Sequence, residues 1–133
     1  MATKREKTIL IEFFKTGTLP TGAQFEELIV SLEDCLPPKT LEVVSGAVTR
    51  TQRMHRVDTE NLASTDDLTT INGMLDGEII ILSCANPARP VTVKSTDNVD
   101  IASDMVLDAW RKNIGLFYNG SQGKLNELWR NAT

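Results

Sequence analysis

The stretch that decides the fold lies at residues 70–82 and reads Thr-Ile-Asn-Gly-Met-Leu-Asp-Gly-Glu-Ile-Ile-Ile-Leu. Two turn signals, Asn72-Gly73 and Asp76-Gly77, precede an apolar run that is rich in β-branched residues. Such pairs between β-branched runs are typical of turns that join antiparallel strands. The same pattern continues in Val91–Lys94, Asn98–Ile101, Ile114–Phe117, the turn at Asn119-Gly120 and Leu125–Arg130. The sequence therefore predicts a small, mainly β domain built from antiparallel strands.

Two short helices are predicted ahead of this region. Thr3 with Glu6, and Thr21 with Gln24, have the spacing of capping boxes, and Pro37-Pro38 ends the second helix. Apolar residues recur at helical spacing behind each box. They are Ile9, Leu10, Phe13 and Phe14 in the first helix, and Phe25, Leu28, Ile29 and Leu32 in the second. We expect residues 1–38 to form a helical segment and residues 39–133 the β domain.

The run from Ile79 to Leu82 is apolar at four successive positions. A strand with one wet face alternates apolar and polar residues, so both faces of this strand should be covered. The second cover is either the N-terminal helices or a neighbouring subunit. Ile79 and Ile81 in this run are therefore candidates for an oligomer contact.

The segment from Thr49 to Val57 is polar and basic, which predicts an exposed or edge strand. His55 lies in it between Arg53 and Arg56. We interpret it as a surface histidine rather than a metal ligand or a base.

Composition argues against several classes of partner. The net charge of −4 and the pI near 5.0 do not favour nucleic-acid binding, which needs a basic surface. The sequence has no run near the ~20 apolar residues of a membrane helix and no apolar signal core, so we expect a cytoplasmic origin. In that compartment Cys35 and Cys84 should be buried free thiols.

Residues for chemistry are sparse. One histidine and two distant cysteines do not make a metal site, and no cofactor motif is present, so the chain is not expected to be an enzyme. The carboxylate series Asp97, Asp100, Asp104 and Asp108 could serve a small hydrolase. It is explained more simply by turns and solvent-facing positions.

The second half of the chain resembles a module common in bacteriophage fibre, spike and other virion-surface proteins. The resemblance is carried by Thr70–Gly77 with the strand after it, by Asn98–Ile101, by Tyr118-Asn119-Gly120 and by Leu125–Arg130. The first third is similar to N-terminal segments of phage structural proteins at Phe14–Gly17, Pro20-Thr21, Gln24-Phe25 and Leu28-Ile29. In the Met105–Lys112 region the chain departs from the module, because Trp110-Arg111-Lys112 stands where a short polar connector is usual.

The resemblance implies that residues 39–133 form an antiparallel β-sandwich domain, that residues 1–38 anchor it, and that the protein forms a homotrimer on a virion assembled in the host cytoplasm. The chain lacks the repeats of a fibre shaft, so the first hypothesis is a capsid decoration (cement) protein bound to the major capsid protein or another virion protein. Its contact residues would be the helical apolar residues Ile9, Phe13, Phe14, Phe25, Leu28, Ile29 and Leu32, together with Ile79 and Ile81. The alternative is the receptor-binding tip of a tail fibre or tailspike, with Asp97, Asn98 and Trp110 touching a host surface glycan.

Overall fold

The structure, a computed structural model, describes residues 5, 7–15, 17, 19–31 and 36–133. The chain divides into two compact units, Met1–Leu36 and Pro37–Thr133.

The N-terminal unit contains the two predicted short helices, α1 (Lys7–Phe13) and α2 (Gly22–Ser31). The capping box of α2 is confirmed: the Thr21 amide donates to Gln24 Oε1 at 2.8 Å, and the Gln24 amide donates to Thr21 Oγ1 at 3.3 Å. The box predicted at Thr3 and Glu6 lies outside the described residues. An edge-to-face contact between Phe14 and Phe25, with ring centroids 5.8 Å apart, holds the ends of the helical pair together.

The second unit is mainly β, as predicted, and contains eleven strands in three sheets. The strands are β1 (Lys39–Glu42), β2 (Ala47–Thr49), β3 (Met54–Asp58), β4 (Asp66–Leu68), β5 (Thr70–Asn72), β6 (Ile79–Cys84), β7 (Val91–Val93), β8 (Val99–Asp100), β9 (Met105–Leu107), β10 (Asn113–Asn119) and β11 (Lys124–Asn131). The large sheet has the order β1-β3-β6-β10-β11-β8. A two-stranded sheet pairs β2 with β5, and a three-stranded sheet has the order β4-β7-β9.

The first part of this unit coils as a short solenoid. Strands β1, β3 and β6 pair in parallel, as do β2 with β5 and β4 with β7. Each successive coil therefore adds a strand beside the equivalent strand of the coil before it. The last part of the chain turns back: β9 is antiparallel to β7, β10 to β6, and β11 to β10.

The prediction of an antiparallel sandwich is therefore wrong in its finer part, because the sheets are mixed. Gly73 (φ 76°) and Gly77 (φ 80°) do occupy turns, as their pairs indicate. These turns carry the chain from the two-stranded sheet to the large sheet, and β5 pairs with β2 rather than with β6. Of the three predicted turns, the one at Asn119-Gly120 closes a hairpin, between β10 and β11. An Asn-Gly or Asp-Gly pair predicts that the chain changes direction. It does not predict which strand pairs with which, because that depends on the apolar surface that the coil buries.

The core lies inside the coil. Inward positions alternate along each strand, so that β6 buries Ile80, Leu82 and Cys84 and leaves Ile79 and Ile81 on the outer face. The largest fully buried apolar side chains are Leu68, Ile80, Leu82, Leu107, Ile114, Leu116 and Leu125. Cys84 is a buried free thiol, as predicted, while Cys35 lies outside the described residues.

The prediction that His55 lies at the surface is wrong. Strand β3 lies between β1 and β6, and His55 is 1% exposed. Its Nδ1 lies 3.0 Å from the Lys39 carbonyl oxygen, and its Nε2 accepts from the Thr51 and Gln52 amides, both at 3.2 Å. This pattern assigns a neutral ring with its proton on Nδ1. Burial alternates along β3, with His55 and Val57 inward, and the polar composition of the segment gave no sign of this.

Stability should fall as the pH drops from 7.5 to 5.5. Burial lowers the pKa of His55, with a smaller lowering from the charges of Arg50 and Lys39. Below pH ~6.5 the unfolded chain therefore binds a proton at His55 more readily than the folded chain does. The free energy of unfolding should then fall by at most about 1.4 kcal/mol for each pH unit below that point. Urea unfolding at the two pH values measures it.

The control for the pH experiment is His55→Gln, which removes the only histidine in the chain. Aspartate and glutamate side chains ordinarily titrate below this window, so the variant should show an almost flat profile between pH 5.5 and 7.5. An equal slope in both proteins would mean that His55 is not the titrating group.

Candidate interaction surface

The outer face of the large sheet carries a strip of apolar side chains across four adjacent strands. We call it the outer strip and define it by five residues: Met54 on β3, Ile79 and Ile81 on β6, Phe117 on β10 and Trp129 on β11. The register places them side by side: Met54 is opposite Ile81, and Phe117 is opposite Ile79. Met54 is 41% exposed and Trp129 43% exposed, and the other three are half-buried by their neighbours.

The indole ring of Trp129 packs against Gly115. It is buried in the middle of β10, opposite Trp129 in the register and next to Ile81. A Cβ atom at position 115 would lie 2.6 Å from both Cε2 and Nε1 of the indole. The missing side chain therefore allows the ring to lie flat across the sheet, which adds a broad aromatic surface to the strip.

The variant Gly115→Val should displace the indole and lower the free energy of unfolding by about 1–3 kcal/mol, the usual cost of overpacking. Chemical unfolding measures the loss. The double variant Gly115→Val, Trp129→Ala removes the clashing ring, so the valine should then cost at least ~0.5 kcal/mol less than it does beside tryptophan. Additive losses would show that the two side chains do not meet.

The two smaller sheets lack such a strip on their outer faces. The two-stranded sheet presents Thr49, Thr70 and Asn72 outward. The three-stranded sheet presents Asp67, Thr92 and Val106, which are aligned by the register. Val106 is 41% exposed, the same fraction as Met54, but its neighbours in that row are polar.

A polar row borders the outer strip on the same face. The register aligns five polar residues from five adjacent strands: Thr40, Arg56, Ser83, Asn113 and Asn131. At one end of the strip, the row that contains Ile79 and Phe117 continues into two polar residues, Asn126 on β11 and Asp100 on β8. An apolar centre with a polar border is the usual anatomy of a protein–protein interface. Sequence reasoning selected Ile79 and Ile81 but missed Met54 and Phe117, and it favoured a core role over an interface role for Trp129. Strand alternation from Gly115 would have placed Phe117 on the same face.

The predicted contact residues of the helical unit are exposed to different degrees. Ile9 (40%), Phe14 (46%), Phe25 (47%) and Ile29 (64%) are exposed. Phe13 and Leu28 are half-buried, and Leu32 lies outside the described residues. Two apolar residues that the sequence analysis did not select, Ile11 and Leu19, are exposed as well, at 55% and 93%.

The predicted glycan residues are not brought together. Asn98 has a structural role, because its Oδ1 accepts the Ile71 amide at 2.8 Å and its carbonyl accepts the Leu125 amide at 2.8 Å. Asp97 is exposed beside it. Trp110 is 67% exposed and lies just before Asn113, at the start of β10. Leu125 is paired with Tyr118 near the other end of that strand. The two ends are about 17 Å apart, for five residues at ~3.4 Å each.

The carboxylate series is spread over several elements. The Lys94 ammonium pairs with Asp104 and lowers the pKa of that carboxyl, helped by the Ser95 amide that donates to it. Lys112 pairs with Asp108 at 2.7 Å and lowers the pKa of Asp108. Both groups are therefore held as carboxylates, the protonation state of a structural ion pair. Asp100 points outward from the large sheet, away from both.

Within the described ranges, no cluster of three or more histidine, cysteine, aspartate or glutamate side chains could hold a metal ion. Among the helices of the same ranges, none has the length and apolarity to cross a bilayer. Comparison with known proteins found no matching family model and no similar curated protein.

Proposed function

We propose that this chain is a structural protein of a bacteriophage virion, a homotrimeric capsid decoration protein that stabilises the outer shell. The observation that carries the proposal is the outer strip. One face of the solenoid is apolar where the other two are polar, and a contiguous apolar patch with a polar border is a mark of an assembly surface. The resemblance of the second half to virion-surface modules supports the assignment of this surface to a virion.

The helical unit supplies the second contact that a decoration protein needs. The structure describes seventeen helical residues in this unit, divided between α1 and α2. The unit is held together by the Phe14–Phe25 contact and by an ion pair of 3.0 Å between Arg5 and Glu27. So short a pair has little room to bury its own apolar side chains, and Ile29 in α2 is 64% exposed. Exposed apolar residues on a separate compact unit suit attachment to a shell protein, such as the major capsid protein.

The first test is the mass in solution, measured by light scattering coupled to size exclusion. The chain has a mass of 14.7 kDa, and the proposal expects a complex of three chains. Mixing the purified protein with undecorated capsids should then deplete it from the supernatant on sedimentation. A protein that stays monomeric at high concentration and does not sediment with capsids would contradict the proposal.

The attachment role of the helical unit is tested by Ile29→Asp in the full chain. A charge at this exposed position should abolish co-sedimentation with capsids and leave the mass of the trimer unchanged. Glu26→Lys, at an exposed position one turn away on α2, is the matched control and should still bind. Full capsid binding by Ile29→Asp, or by a chain lacking residues 1–36, would exclude this anchor.

The second candidate function is a receptor-binding module of a tail fibre or tailspike. The observation that favours it is the 67% exposure of Trp110, on a turn braced by the Asp108–Lys112 ion pair. An exposed indole on a braced turn is suited to stacking on a sugar ring. Binding to a glycan array that is lost in Trp110→Ala, without binding to capsids, would favour this function over decoration.

A further inference from the structure

The outer strip is neutral and wide. Its five residues carry no charge, and they come from four neighbouring strands of the six-stranded sheet. At ~4.8 Å between strands the sheet is about 24 Å wide, and its longest strand, of eight residues, extends about 26 Å. The face therefore offers on the order of 500–600 Å².

This area decides which occupant fits. In the proposed homotrimer each copy contacts two neighbours, because a pair of identical faces in direct contact closes as a dimer. Each copy then buries roughly 500–600 Å², which is more than the ~400 Å² per partner of a crystal-packing contact and less than the ~800 Å² of a standard interface. Each neighbour brings the same apolar strip, so the assembly covers three apolar surfaces at once. Such a contact also brings no charge into the centre, since the charged residues that the register places on this face lie outside the strip: Glu42, Arg56, Asp58, Asp100 and Lys124.

The strip also contains the kind of residue that anchors such contacts. Trp129 lies flat over Gly115, and Phe117 is two positions further along β10. Large aromatic side chains near the centre of an interface contribute a disproportionate share of the binding free energy. Because the pairing of β10 with β11 already fixes the backbone of both residues, only side-chain freedom remains to be lost when they are covered.

We infer that the outer strip is the surface through which copies of this chain associate, with Phe117 and Trp129 as its anchors. The inference rests on the proposed function only in taking the protein to be an oligomer. It assigns the contact between copies to the large sheet, and it leaves the helical unit for the shell.

The test compares two substitutions of outward residues on different sheets. Phe117→Glu places a charge in the strip, and Val106→Glu places the same charge on the outer face of the three-stranded sheet. Phe117→Glu should raise the concentration at which the complex half-dissociates by more than about tenfold, as removal of an interface anchor does. Val106→Glu should leave it unchanged. Circular dichroism establishes that both variants are folded.

A second measurement uses the natural fluorophore in the strip and needs no disruptive change there. The chain has two tryptophans, so Trp110→Phe leaves Trp129 as the only one. Its emission should shift to the blue as the protein is concentrated through the range in which the complex forms. This readout stands even if Phe117→Glu does not fold.

The outcomes separate the inference from the proposed function. A trimer that survives Phe117→Glu, with Trp129 emission independent of concentration, overturns the inference and leaves the decoration proposal intact. A trimer that survives while capsid binding is lost also overturns it and assigns the strip to the shell. A protein that is monomeric at every concentration overturns both.

Discussion

Replacement of Arg50 by methionine is expected to lower the free energy of unfolding by about 3–5 kcal/mol, the usual cost of removing one partner from a buried ion pair. The side chain of Arg50 is 2% exposed and donates to Glu78 Oε2 at 2.8 Å. Its Nε and Nη2 both donate to the Ile79 carbonyl oxygen, at 3.1 and 3.0 Å. The paired part of β3 begins at Met54, opposite Ile81, so the guanidinium takes the place of a strand partner at the start of β6.

Burial, followed by the nearby charge of Arg53, lowers the pKa of Arg50 to about 10. The group is still a cation at neutral pH, and its loss removes the Arg50 donors from Glu78 Oε2 and from the Ile79 carbonyl oxygen. Chemical unfolding at pH 7 measures the effect. The control is Arg111→Met, at an exposed position, which should change stability by less than about 0.5 kcal/mol.

A double variant shows where the cost arises. Glu78→Gln removes the charge but keeps an oxygen for the Leu75 amide, which donates to Glu78 Oε1 at 2.7 Å. Arg50→Met combined with Glu78→Gln should therefore be more stable than Arg50→Met alone. If the double variant is instead less stable, the charge of the Glu78 carboxylate beside the missing guanidinium is not the main cost.

Leu116→Ala is expected to lower the free energy of unfolding by about 2–5 kcal/mol, the range for truncating a buried leucine. Leu116 is fully buried in the middle of β10 and is paired with Ile80, which is also fully buried. The cavity would lie where the returning strands close the coil, so neighbouring elements have little freedom to fill it. Thermal or urea unfolding provides the measurement.

Val106→Ala is the matched truncation on an outer face and should cost no more than about 0.5 kcal/mol. Similar losses in the two variants would mean that the interior of the coil does not carry the stability of this unit. A much smaller loss in Leu116→Ala than in other core truncations would show that the site collapses.

Leu116→Ala and Val106→Ala also provide controls for assembly, because both variants keep the outer strip intact. Neither change touches Met54, Ile81 or Trp129, so a folded variant should associate as the unmodified chain does. The interior of the coil and its outer face are therefore separable by experiment, one through unfolding and the other through mass.

Several local features of this protein could be predicted from the sequence alone. The second helix and its Thr21–Gln24 box, the turns at Gly73 and Gly77, and the hairpin at Asn119-Gly120 all follow from residues that are neighbours in the chain. Alternation within β6 is equally local, and it placed Ile79 and Ile81 on one face. Each of these signals depends on conformational preferences that act over a few residues.

Strand pairing was decided by tertiary structure. The parallel partners β2 and β5, or β3 and β6, are separated by whole coils, and the sequence contains no signal for which apolar strands share one interior. The same long-range choice made β3 a central strand and buried His55 and Arg50 despite their polar neighbours. It also brought Met54, Phe117 and Trp129 together on one face, because residues remote in the chain become neighbours only when the coil closes and the final hairpin returns along it.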